Sequence, residues 1–334
     1  MSAITTQIFI LSFFQFFMWL PHSAQAQQSA AALGYQWSPS EVDSILLRSD
    51  RINLVVSTSP TDFIRATRLS ADWKIEKKDR QLIFTYRAGT VAGASTSLDL
   101  ALPVGKQILV QVVAGEGQIL AQKGARDLKV TLQGGRVQSI GSSGTLHLYV
   151  HKGDISVQDH SGAVLVDAFQ LNSSSFKNIL GEGQIEVFQG TVGIEKWQGR
   201  LGLQTHKAVV QVTQSQGALQ LDSNSGSFNV QTHKGRIDGS SKDGVHSINI
   251  VKGGVDVNLR TQSGKITVQS PPVAYLNVSS REGDIYLPSP LKVLRTSTEK
   301  FYRGNKGSGA GSKSGDEGFS RITLRSSEGI ISIK

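Results

Sequence analysis

Three aspartates, Asp154, Asp159 and Asp167, fall close together in the chain, and Asp238 and Asp243 form a second close pair. Convergent carboxylates are the working parts of a polysaccharide-cleaving site, where one protonates the leaving oxygen and another activates water or attacks the sugar. Neither group contains a pair that stands out, and both sit among turn formers, so their expected place is the solvated end of a strand. Calcium is a second chemistry to weigh, because nonapeptide coils bind it through Gly-Gly-x-Gly-x-Asp. That phrase is absent, and Asp154, Asp222, Asp238 and Asp256 do not all share one repeat phase. His151, His160, His206 and His233 each precede a repeat position by two residues. His206 and His233 are 27 apart, so a three-sided coil would stack them, and stacked imidazoles bind metals. The plainer expectation is exposed turn histidines. Trp197, Phe188, Tyr149 and Phe169 could form a sugar-stacking patch, although Phe188 and Phe169 suit a core or cap equally well. The sequence has no Gly-Lys-Ser/Thr phosphate loop, no Gly-x-Ser-x-Gly elbow and no His-Glu-x-x-His. No catalytic, cofactor-binding or metal-binding residue is assigned.

These residues hang on a repeat. Counting in nines from Gly190 lands on Gly199, Ala208, Gly217, Gly226, Gly235, Gly244 and Gly253; upstream, Gly144, Gly153 and Gly162 keep the interval. The register slips through Asn172-Ser173-Ser174-Ser175 and resumes near Gly183. Two residues after the markers from 190 to 253 stand Val192, Leu201, Val210, Leu219, Phe228, Ile237, His246 and Val255; four after stand Ile194, Leu203, Val212, Leu221, Val230, Gly239, Ile248 and Val257. Only His246 and Gly239 break the apolar pattern. Strand side chains alternate, so both slots face one side. Between them lie turn formers such as Asp222-Ser223-Asn224-Ser225. Each unit reads as one half-buried strand plus one turn. It buries its apolar face by stacking on its neighbours. The pattern predicts an all-β, single-domain β-solenoid with coils of about 18 or about 27 residues, two or three units each; a meandering antiparallel sheet is the competing arrangement.

The flanks are expected to serve this stack. Ile8 to Leu20 is an apolar run followed by Ala24-Gln25-Ala26, which matches a secretory signal peptide over residues 1–26, although no Lys or Arg precedes it. Residues 27–40 read as a linker, 41–114 as an N-terminal strand-rich cap region, and 115–334 as the solenoid, with a mobile Gly/Ser loop at 303–318. Export would put the protein in the periplasm, on the outer surface or in the medium. The 334 residues carry no cysteine, so stability comes without disulfides and no thiolate chemistry is available. The net charge of +9 and pI of about 9.7 favour anionic partners, but the basic residues form no run, and export argues against nucleic acid.

Leu98-Asp-Leu-Ala-Leu-Pro-Val-Gly105 followed by Val110-Gln-Val-Val-Ala-Gly115 resembles the strand entry of the bacterial putative-adhesin family of unknown function. The recurring Gly153-Asp-Ile-Ser-Val157 and Gly283-Asp-Ile-Tyr-Leu287 phrases and the closing Glu328-Gly-Ile-Ile-Ser-Ile333 resemble it as well, over roughly residues 42–334. The resemblance implies an exported or envelope-associated β-solenoid and supplies no functional residues. The function expected is non-enzymatic: an adhesin-like binding or envelope scaffold module for a cell-surface glycan or protein, without cofactor or transmembrane segment. The alternatives are a carbohydrate-active β-helix enzyme and a self-assembling structural solenoid.

Overall fold

The computed structural model describes residues 34–70, 72–86, 95–250, 254–271, 273–306 and 320–334. The signal-like segment, residues 27–33 of the expected linker and residues 307–318 of the expected loop lie outside the described residues. In chain order the strands are β1 (Tyr35–Trp37), β2 (Ser44–Ser59), β3 (Ile64–Thr67), β4 (Trp73–Lys78), β5 (Gln81–Tyr86), β6 (Thr96–Pro103), β7 (Leu109–Ala121), β8 (Arg126–Ile140), β9 (Ser143–Leu180) and β10 (Gly183–Thr213). There follow β11 (Gln216–Ser223), β12 (Ser227–Gln231), β13 (Lys234–Ser241), β14 (Val245–Asn249), β15 (Val255–Thr261), β16 (Lys265–Gln269), β17 (Ala274–Ser280), β18 (Ile285–Tyr286), β19 (Leu294–Arg295), β20 (Lys300–Lys306), β21 (Ser320–Ser326) and β22 (Ile330–Ile333).

These strands coil into a β-solenoid with two walls. Leu201 lies beside Leu219 and Leu219 beside Ile237 in a front wall; Val210 lies beside Phe228 and Phe228 beside His246 in a back wall. All of these pairings are parallel and 18 residues apart, so one coil is two nine-residue units. The strict interval bends twice. Gly190 stands beside Leu171 but Val192 beside Ser174, so the Asn172–Ser175 slip is a β-bulge with one extra residue. Val257 stands beside Ile237, two residues later than the nine-residue count puts it.

The core is the narrow space between the walls. Fifteen of the sixteen repeat slots are buried side chains, His246 among them. At the remaining slot, Gly239, an added Cβ would come within 2.9 Å of Leu259 Cδ2, so a neighbouring leucine fills the space.

The walls meet at two unlike edges. Edge two, from back wall to front, begins with a residue in the left-handed region: Asp159, Asn178, Lys196, Gln214 and Thr232, all with φ between 53° and 57°. The next residue points inward, giving a buried column of His160, Ile179, Trp197, Ser215 and His233. A glycine then completes the turn. At Gly217, φ is 120° and an added Cβ would sit 2.1 Å from the Gly199 oxygen of the coil below, so no other residue fits. Edge one, from front wall to back, sends the two residues at its tip outward, as at His206 and Lys207, before Leu171 or Ala208 turns back in.

Both ends of the stack are built out of chain order. At one end β2 lies between the coil of β5 and β6 and the later strand β7. At the other, β21 and β22 lie between the coil of β15 and β16 and the earlier strands β17 and β18. Antiparallel strands flank the outermost coils: β4 on β5, β3 on β6, β1 on β3, and β20 on β17. Two boundaries therefore differ from expectation. Tyr35–Trp37 of the supposed linker is a strand, and Arg303–Lys306 of the supposed loop is paired in β20. Each segment gains backbone partners at a sheet edge. The division expected at residue 114 falls inside β7.

Candidate functional site

On edge one, four aromatic side chains from successive coils stack face to face. His151 lies on Phe169 at 5.0 Å between ring centroids, Phe169 on Phe188 at 4.9 Å, and Phe188 on His206 at 4.5 Å, with planes within 12° of parallel. Phe169 and Phe188 are 48% and 38% exposed, high for phenylalanine. Because each ring covers its neighbour's face, the stack shows solvent its edges. The Asn224 amide donates to His206 Nδ1 at 3.2 Å and ends the column.

Beside the stack, on the front wall, runs the outward row Tyr149, Asp167, Glu186, Gln204 and Asp222. Asp167 and Glu186 are in-register neighbours, as are Gln204 and Asp222. Asp222 accepts hydrogen bonds from Ser240 Oγ at 2.5 Å and Gln220 Nε2 at 2.8 Å. Stack and row line a groove of about 580 Å³ that runs across successive coils. Adjacent like charges destabilise a sheet, so the Asp167–Glu186 pairing works against folding. A larger groove of about 780 Å³ on the back wall is lined by Arg51, Glu116, Arg136, Asp154 and Lys152, and four of these charges are paired, Arg51 to Glu116 at 3.1 Å and Arg136 to Asp154 at 3.5 Å.

The aspartates do not converge. Asp154 is on the back wall, bound to Arg136 and accepting the Ser173 amide at 3.2 Å. Asp159 is on edge two, accepting the Asn178 amide at 2.8 Å. Asp167 is on the front wall. The Arg236 guanidinium holds the Asp238 carboxyl below the usual carboxylate range, with Asn258 adding to the effect, and Asp243 accepts from Ser263 Oγ. Among the described residues no three acidic or histidine side chains are placed to hold a metal ion.

The histidines separate by edge. His151 and His206 lie on edge one, while His160 and His233 are buried on edge two, contrary to the expectation of exposed turns. In a two-walled coil, residues 27 apart fall on opposite edges, so His206 and His233 do not stack. His160 Nδ1 bonds Ser142 Oγ and His233 Nδ1 bonds Ser215 Oγ, both at 2.8 Å. Burial pushes both rings below the ordinary histidine range, with backbone contacts opposing it. Trp197 is buried in the same column and donates to the Gly181 carbonyl at 3.2 Å, so it leaves the aromatic patch. His246 was legible only as an oddity in an apolar slot. It packs on Phe228 with neither ring nitrogen partnered, and burial pushes it down to about 4.

A family model described as Toastrack DUF4097 matches residues 72–334. A comparison with curated proteins found no match. Among solved structures, a putative cell adhesion protein from Clostridium sporogenes is 9% identical, with 91% of this chain and 99% of that one covered at a TM-score of 0.17. A putative adhesin from Bacteroides fragilis is 11% identical, covering 93% and 100% at 0.27. Another from Parabacteroides merdae is 12% identical, covering 91% and 96% at 0.31. Among the described residues no helix is long and apolar enough to cross a membrane.

Proposed function

We propose, from the premise that this chain belongs to the Toastrack DUF4097 family, that it is an exported, non-catalytic binding module that holds an extended surface ligand along edge one. The observation that carries this reading is the solvent-facing His151–Phe169–Phe188–His206 stack beside the Asp167–Glu186–Asp222 row. A coil-to-coil repeat of about 4.8 Å offers the same contact several times over, so a chain-like ligand gains by many weak contacts. The carboxylates accept hydrogen bonds from donors such as sugar hydroxyls, and the ring edges give an apolar strip against which C–H groups pack. A glycan of the cell envelope or of a host surface fits this chemistry. The signal-like Ile8–Leu20 run supports export, and the adhesin-like names of the solved neighbours agree with the role. The antiparallel strands over both outermost coils weigh against end-to-end self-assembly.

The test is binding of the purified protein to cell-wall fractions and neutral polysaccharides, with the unbound ligand sized for shortened products. Binding to intact ligand, lost at least tenfold in a Phe169→Ala/Phe188→Ala variant that melts normally, is expected. Shortened products would overturn the reading, as would a double variant that binds as well as the parent.

A further inference from the structure

The front wall changes character toward the C-terminal end of the stack. Along the row that holds Asp167, Glu186, Gln204 and Asp222, the next in-register positions are Ser240, Arg260, Arg325 and Ser279. Arg260 and Arg325 are direct neighbours on parallel strands, both exposed, about 4.8 Å apart at the backbone. Two like charges so placed repel unless something anionic lies over them. Arg321 is on the same strand and face as Arg325, four residues away, or about 13 Å. Arg303 of β20 is outward beside Asn277, two strands from β21. Among the described residues none of these four arginines has a carboxylate within ion-pair distance, whereas Arg80, Arg136 and Arg236 are each paired. Among the described residues the carboxylates nearest the cluster by register are Asp256, beside Arg321, and Glu328 and Glu282, which stand on edge one beyond it.

We infer that this arginine face, on β15, β21, β17 and β20, binds an acidic polysaccharide. Guanidinium groups grip carboxylates, sulfates and phosphates through paired N–H donors, which suits an anionic chain. Between the arginines stand Asn258, Thr323, Asn277, Tyr275 and Ser279, which bond hydroxyls. β15, β17 and β21 point no aliphatic side chain outward here, and apolar groups stand only at the rim, where Phe301 of β20 lies beside Ser279 and Leu294 of β19 beside Phe301, so the arginine-lined centre suits a polar chain better than a lipid bilayer. The inference goes beyond the groove on edge one, uses none of its residues, and puts part of the +9 charge to work.

The experiment measures binding of the whole purified protein to polygalacturonate and to its fully methyl-esterified form at low and high salt. The acid form is expected to bind and to be released by salt, and the ester to bind at least tenfold more weakly. Arg260→Gln/Arg325→Gln should lose at least tenfold, while Arg126→Gln/Arg200→Gln, which removes the same charge elsewhere, should stay within about threefold. Equal losses in the two variants would reduce the effect to net charge and overturn the inference. Equal binding of the ester, or unchanged binding by Arg260→Gln/Arg325→Gln, would overturn it too. So would a dimer that dissociates on the same substitutions, since the face would then belong to a second copy. Phe169→Ala/Phe188→Ala is expected to leave polygalacturonate binding unchanged, so this inference and the groove can fail separately.

Discussion

The two edges of the solenoid solve the same problem in opposite ways. Each must turn the chain from one wall to the other within a few residues, eighteen residues after the last such turn. Edge two takes a left-handed residue and a glycine and sends the side chain between them inward, where Trp197, Ile179 and His160 extend the core. Edge one directs its side chains outward, and apolar rings stay in water as a self-stacked column. Edge two spends its side chains on stability, and edge one leaves them available to a ligand. Exposed phenylalanine on one edge and buried histidine on the other each run against residue type, and the direction of the side chain accounts for both.

The contrast is open to attack from several sides. The largest effect is expected on edge two. Trp197→Ala should cost about 3–5 kcal/mol, and Gly217→Ala, which drives a Cβ into the Gly199 carbonyl, should also cost several kcal/mol; urea midpoints would show both. Next comes acid. His246 has a folded value of about 4 against about 6.5 when unfolded. Its stabilising contribution is complete above pH 6.5 and is lost as pH falls toward 4, because the unfolded chain then takes up a proton that the folded one refuses. That single ring accounts for about 3 kcal/mol across the window, and His160 and His233 act in the same direction. A urea midpoint unchanged between pH 7 and 4.5 would contradict the burial of all three. His246→Leu should raise stability at neutral pH by about 1–2 kcal/mol, by removing two unpartnered nitrogens, and should flatten part of the acid slope. Phe188→Ala on edge one should cost about 1 kcal/mol or less while weakening ligand binding. If Phe188→Ala unfolds the protein as Trp197→Ala does, the two edges are alike and the contrast is lost. The smallest effect belongs to the exposed Lys177–Glu195 pair, where Lys177→Ala should shift the midpoint by no more than about 0.5 kcal/mol.

Much of this architecture could be read from glycine spacing and apolar slots, because strand alternation and stacking leave few other uses for that pattern. The nine-residue count, however, concealed an eighteen-residue alternation. Position −2 before a marker points outward at Gly153 and Ala208 and inward at Gly162 and Gly235. His151 and His160 look equivalent in sequence for that reason and differ in the fold. The aromatic stack is half legible: Phe169, Phe188 and Tyr149 read as one patch, but Trp197 reads with them although it is buried, and nothing in residue type joins His151 and His206 to the phenylalanines. The arginine face was hidden because Arg260 and Arg325 are 65 residues apart and meet only through the out-of-order return of the last coil.

That return bears on how the protein is made. The slot between β15 and β17 stays open until Ser320–Ile333 arrive to fill it. Until then, core residues such as Val257 and Leu276 lack one neighbour on the side that Ile322 later occupies. The pairing spans 65 residues on one side and 46 on the other, so it is a slow, non-local step. A chain without Ser320–Ile333 therefore cannot close its stack, and deleting residues 320–334 should leave an open, adhesive gap rather than a shorter solenoid.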